Sequence, residues 1–153
     1  MEAQAVFDKV VEHLATQKVQ SLSINGFCLY RGPNCTKCAF GVFIPDELFS
    51  QGLEYHGVLK LLGCANRKAN GGTNSRSHGG YNSELWEAMT PELITVLEPL
   101  QRHAVLLREL QGAHDTDGGT QAWAGRLDQA ATNHGLKFDR AAFENQLNEA
   151  PAQ

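Results

Sequence analysis

Four cysteines, an adjacent His114-Asp115 pair and a glycine-rich basic stretch are where this 153-residue chain carries residue types suited to chemistry. Cys35 and Cys38 form one CxxC hook, and Cys28 and Cys64, or His56, complete four thiolate or imidazole ligands of the kind a tetrahedral zinc needs. A second hook is missing, so the favoured reading is four reduced thiols, with Cys28 and Cys38 as small buried hydrophobes and no cofactor. Cys35 or Cys38 beside Lys37 would suit a thiolate nucleophile. A cysteine opening a buried strand, however, lacks the accessible electropositive setting such a nucleophile uses. His114-Asp115 has the look of a metal-hydrolase pair, but His103 stands 11 residues earlier and does not complete that set. The pair reads instead as a helix end and a loop-shaping acid, and stays a secondary polar-site candidate.

Residues 65–80 contain four glycines, no acid, and Arg67, Lys68 and Arg76. A structureless loop of this length is usually functional or disordered. Its free amides and cations suit a phosphate or an acidic partner, although the P-loop order is absent. Tyr30, Arg31 and Lys37 flank a Gly-Pro turn and form a second candidate binding set, with a structural clamp preferred over a recognition edge.

The elements that must position these groups follow from periodicity. Val6, Phe7, Val10, Val11 and Leu14 mark an amphipathic helix over residues 3–18. Residues 27–30 and 37–44 are rich in strand formers and flank Arg31-Gly32-Pro33-Asn34, which predicts a β-hairpin with Cys28 opposite Cys38. Pro45 ends the second strand and Pro45-Asp46-Glu47 opens a short helical turn. Residues 57–63 fit a short helix or a strand. Ser83 caps a helix through Met89, and Thr90-Pro91 starts another that Pro99 ends or kinks. Leu93, Leu97, Leu100, Ala104 and Leu107 give it an apolar stripe that Gly112 stops. Surplus apolar surface on that stripe would support a homodimer, while Pro99 opposes a long coiled coil. Thr120 and Asp139 cap two further helices, with Gly135 between them and a frayed tail over residues 150–153. The fold class expected is mainly α with a small β-hairpin near the N-terminus (α+β), in a single compact helical domain spanning residues 1–149.

The string Cys28-Leu-Tyr30-Arg31-Gly32-Pro33-Asn-Cys-Thr-Lys37-Cys38-Ala39-Phe-Gly41-Val-Phe-Ile44-Pro45-Asp46 resembles a family of uncharacterised proteins of tailed bacteriophages, prophages and some bacteria. A second echo runs through Leu110-Gln111-Gly-Ala-His114-Asp115, Trp123 and His134-Gly135-Leu136. Cys35 stands where the family often has glycine, and residues 65–80 lie outside the resemblance. The resemblance implies a phage or prophage setting and a fold, not a reaction.

The net charge of −4 argues against general coating of duplex nucleic acid, and no stretch is apolar enough for a membrane helix. The N-terminal residues lack the pattern of a secretory signal, which predicts a cytoplasmic location. No enzyme activity is named by the sequence, and the reading leans to none. The expected function is a phage- or prophage-type accessory protein that binds a host component, with inhibition of a host defence or regulatory system as its role. The alternative is a small enzyme or nucleotide-binding protein using the 65–80 loop with His114 and Asp115.

Overall fold

A computed structural model describes residues 1–75 and 80–150. Helix α1 covers Ala3–Gln17 and buries Val6, Phe7, Val10, Leu14 and Ala15, the stripe its 3–4 spacing requires. Lys18 closes it in the left-handed region, its amide bonded to the Leu14 carbonyl. A long connection then runs to Gly57. After it come α2 (Val58–Ala69), α3 (Ser83–Ala88), α4 (Pro91–Leu97), α5 (Ala104–His114), α6 (Trp123–His134) and α7 (Arg140–Asn148). Helix α2 packs against α4, α5 and the 3₁₀ segment Glu98–His103, while α1 packs on α5 and α7. The leucines of α4 and α5 are buried in the chain's own core, together with Trp123, Leu127 and Phe143. Among the described residues no helix is long and apolar enough to cross a membrane.

The helix boundaries follow local chemistry. Thr90 Oγ1 accepts the Leu93 amide and Asp139 Oδ1 accepts the Ala142 amide, as N-caps should. Asn82, rather than Ser83, caps α3 through the Glu84 and Leu85 amides. Pro99 lies in the 3₁₀ segment between α4 and α5, because it has no amide to continue an α-helix. Gly135 ends α6 at φ +64°, whereas α5 runs through Gly112 to His114. The segment at 57–63 is helical, and α2 continues to Ala69, so the first five residues of the expected 65–80 loop are helix.

The expected β-hairpin is absent, and the fold is helical rather than α+β. Among the described residues no strand forms; one isolated antiparallel bridge joins Leu22 and Cys28. The turn itself is of the hairpin kind: Asn34 and Cys35 both take positive φ, at 56° and 61°, and the Thr36 amide bonds the Pro33 carbonyl. What fails is the second strand. The apolar run that follows is buried on every side because it coils through the core as a 3₁₀ turn, Gly41–Phe43, and not because it is a central strand. A short apolar run reads the same in either conformation. The carbonyls a partner strand would have satisfied are taken by Arg31, whose guanidinium donates to the carbonyls of Tyr30, Gly41 and Ile44. Gly41 is required there, since a Cβ would stand 2.4 Å from the Tyr30 carbonyl oxygen.

Candidate functional site

The C-terminal turn of α5 meets the long connection at a polar cluster of half-buried Cys28, buried Gln111 and His114, and exposed Asp115. Positions 111, 114 and 115 fall on one side of that turn, and the Leu22–Cys28 bridge carries Cys28 to them. Gln111 is used at both ends of its amide. Its Oε1 accepts the Phe40 amide at 2.9 Å, and its Nε2 donates to Cys28 Sγ at 3.0 Å and to Asp115 Oδ1 at 2.8 Å.

His114 is fully buried and stacks on Trp123, ring centroids 5.8 Å apart. The Ser21 amide donates to its Nε2 at 3.1 Å, so that nitrogen presents a lone pair and the ring proton sits on Nδ1. Nδ1–H in turn donates to Asp115 Oδ1 at 2.7 Å. His114 is therefore a neutral imidazole with both nitrogens engaged. A Cys-His-Asp relay needs one imidazole nitrogen toward the acid and the other toward the thiol. Here Nδ1 faces both, with Cys28 Sγ 3.9 Å away, and Nε2 belongs to the backbone.

Burial pushes Asp115 toward the protonated form, but hydrogen bonds from His114, Cys28 and Gln111 outweigh it and hold the carboxyl below its usual range. The Cys28 thiol is shifted the other way. A hydrogen bond with the Cys38 thiol, burial and the charge of Asp115 hold it far above the range of a reactive cysteine. Cys28, His114 and Asp115 each place a possible metal-ligating atom within 4.8 Å of the others. The fit to a metal is poor, because the His114 nitrogen facing the group is the one that carries the proton. The less favoured alternative of a four-thiol metal set does not assemble either. Cys35 is exposed, Cys64 is buried in α2, and Cys38 accepts the Gly41 amide at 3.3 Å.

A cavity of about 150 Å³ opens beside this cluster. Cys28, Tyr30, Gln111 and Asp115 form its inner wall, and Tyr55, His56 and Gly57 form its rim. Both oxygens of the buried Glu54 carboxylate accept backbone amides, from Tyr30 and Arg31, each at 3.0 Å. The Tyr30 hydroxyl donates to the His56 carbonyl. Between these anchors Tyr55 takes φ +64° and remains 70% exposed. Sequence reasoning missed Ser21, Glu54 and Tyr55 as site residues. Their one signal is an acid and a polar residue set among apolar neighbours, a pattern shared with most exposed positions.

The remaining candidates are placed as follows. Arg31 and Lys37 share Asp46, each at 3.0 Å, and Lys37 first and Arg31 second hold that carboxyl below its usual range. The Arg31 guanidinium also lies 5.3 Å from the centre of the Phe49 ring. Lys68 Nζ donates to the Trp86 carbonyl at 2.6 Å and lies over the Trp86 ring. Arg67 lies in the last turn of α2, and the Gly72 amide donates to its carbonyl at 2.9 Å. Arg76 lies outside the described residues.

Cys28 and Gln111, 83 positions apart in the chain, meet in this cluster. The chain matches no known family profile, no curated protein and no solved structure.

Proposed function

We propose that the chain is a phage- or prophage-type accessory protein that acts in the host cytoplasm by binding a host protein, and so inhibits a defence or regulatory system. The phage setting rests on the two sequence strings. The observation that carries the binding is an apolar tip on a pinned turn. Ile24 is 100% exposed and Phe27 is 61% exposed, three residues apart. The turn between them is closed by Ser23 N–H to the Phe27 carbonyl at 2.7 Å and Gly26 N–H to the Ser23 carbonyl at 2.9 Å. Ser23 Oγ accepts the Phe27 amide as well, and Gly26 supplies the positive φ of 83° that the reversal needs.

Single exposed apolar side chains are ordinary, but two large ones held on one rigid turn form an anchor that loses little entropy on docking. The polar cluster behind the tip supports the same reading. Its thiol is kept protonated, its imidazole is fully bonded, and the group serves to hold the turn against α5. The adjoining cavity is also smaller than the roughly 300 Å³ at which nucleotide-sized sites begin.

The test is affinity capture from bacterial lysate with the tagged chain and with an Ile24→Asp/Phe27→Asp double variant. The expected result is one stoichiometric protein with the wild type and its loss with the variant, at unchanged circular dichroism and melting temperature. Hot-spot residues of this kind are worth about 2 kcal/mol or more each, so the affinity falls by at least ~30-fold. Capture of the same protein by both chains, or of nothing by the wild type, rejects the reading.

A further inference from the structure

The cavity beside the tip contains a charge that no fixed cation among the described residues pairs with. Asp115 is ionised, its side chain is 36% exposed, and its ion-pair partner among the described residues is His114. Since the Ser21 amide fixes His114 as the neutral ring, that contact is a hydrogen bond and leaves the negative charge in place. The bonds from His114 and Gln111 both fall on Oδ1, and with the Cys28 thiol all three donors are neutral groups. Asp115 also follows the last residue of α5, where the backbone carbonyls add the negative end of the helix dipole, a position that favours a cation. Of the rim residues, His56 is held below its ordinary range by burial and then by nearby Lys60, which does not itself line the cavity, so the lining brings no fixed positive charge.

The shape fits the same kind of guest. About 150 Å³ has room for a head group of a few heavy atoms, given about 30 Å³ per water in the liquid. Tyr30 and Tyr55 line it with aromatic surface. Tyr55 is a bulky side chain in a left-handed conformation, a costly arrangement that persists where the flanks fix it. Here the flanks are the Glu54 carboxylate and the His56 carbonyl, and they hold Tyr55 in the cavity lining.

We propose that this cavity receives the guanidinium of an arginine side chain on the partner protein, with Asp115 as its counter-ion and Tyr55 as its stacking wall. Arginine is favoured over lysine because a planar, weakly hydrated, permanently charged group stacks on aromatic faces. The inference rests on the binding reading for the source of the arginine. Cys28 lines the cavity and directly follows Phe27 in the chain, so the tip and the cavity are neighbours.

The test needs no partner. Acetyl-arginine methylamide is titrated into the labelled full chain in moderate salt, with the citrulline analogue as its neutral isostere. Saturable NMR shifts at the Gln111 side-chain amide and at the Tyr55 and Gly57 backbone amides are expected, with millimolar affinity and at least tenfold weaker binding of the citrulline probe. Asp115→Asn should abolish the difference between the two probes. Tyr55→Gly keeps the left-handed backbone, removes the ring, and should weaken the arginine probe several-fold with the melting temperature held or raised; this variant decides the matter if Asp115→Asn fails to fold. Equal shifts with both probes, no saturable shift, or full affinity in Tyr55→Gly overturns the proposal. Failure here with successful capture means that the partner docks through the tip alone. Arginine binding without capture keeps the cavity and removes the protein-partner reading.

Discussion

Between Lys18 and Gly57 the backbone bends through short 3₁₀ turns, and many of its carbonyls and amides are satisfied by side chains: Arg31 and Glu54 from the connection itself, and Gln17, Gln111 and His114 from the helices. Between Val58 and Asn148 the backbone satisfies itself in helices, and the side chains are free to pack. The buried polar residues sort accordingly. Ser21 and Glu54 lie on the connection, and Gln111 and His114 lie on the α5 face that receives it. Apolar burial is non-directional and tolerates repacking. A polar knot is directional, and each missing partner leaves a buried group unsatisfied. The two regions should therefore fail differently: the helical part by losing stability globally, the connection by opening locally.

The largest effect is expected in the helical part. Leu97 is fully buried, and Leu97→Ala should cost about 2–5 kcal/mol, read as a lower denaturant midpoint with every amide affected in hydrogen exchange. Arg31→Met is the counterpart in the connection. It removes the donor to the Gly41 and Ile44 carbonyls while keeping much of the stem that packs near Phe49. A loss of roughly 2–4 kcal/mol is expected, from strong charge-assisted bonds and the carbonyls left bare. Exchange should accelerate at residues 38–45 while α5 and α6 keep their protection. Uniform acceleration across the chain would show that the two regions form one cooperative unit and would break the contrast drawn above.

The same contrast governs what could be read in advance. Stripes such as Val6, Phe7, Val10 and Leu14, the Thr90 and Asp139 caps and the Gly135 stop are local, and each is where periodicity and capping chemistry place it. The connection obeys no period. Its conformation depends on which distant side chain reaches each carbonyl, and Arg31 in place of a partner strand turns a plausible hairpin into coil. Cys28 and Cys38 do come close enough to raise the Cys28 pKa, but not across a ladder. The site was half legible. His114 and Asp115 stood out as a pair of reactive types. Their neutral, saturated state depends on an amide 93 positions away, at Ser21. Tyr55 became a candidate only through its backbone conformation.

The smallest expected effect is on pH dependence, and it sharpens where the knot is weakest. His13 holds the connection to α1 through its Nε2, 2.9 Å from the Lys37 carbonyl. Burial lowers its pKa below the ordinary 6.5, with the charges of Lys37 and Arg31 acting in the same direction and the Lys37 carbonyl opposing. The unfolded chain therefore takes up the proton before the folded chain does. The contribution of His13 is fully present above the unfolded value and is lost as pH falls from there through the depressed folded one. Asp115, also depressed, contributes above its unfolded value and loses that contribution only at lower pH, as its folded pKa is crossed. Two acid steps are thus expected in the exchange of amides 20–45, the first beginning near pH 6.5 and the second below about pH 4. His13→Gln keeps a donor for the Lys37 carbonyl without a titrating ring, and should remove the first step alone. A first step that survives in His13→Gln would move its origin to His56, whose pKa burial and Lys60 also lower, and would shift the weak point from the α1 seam to the cavity rim.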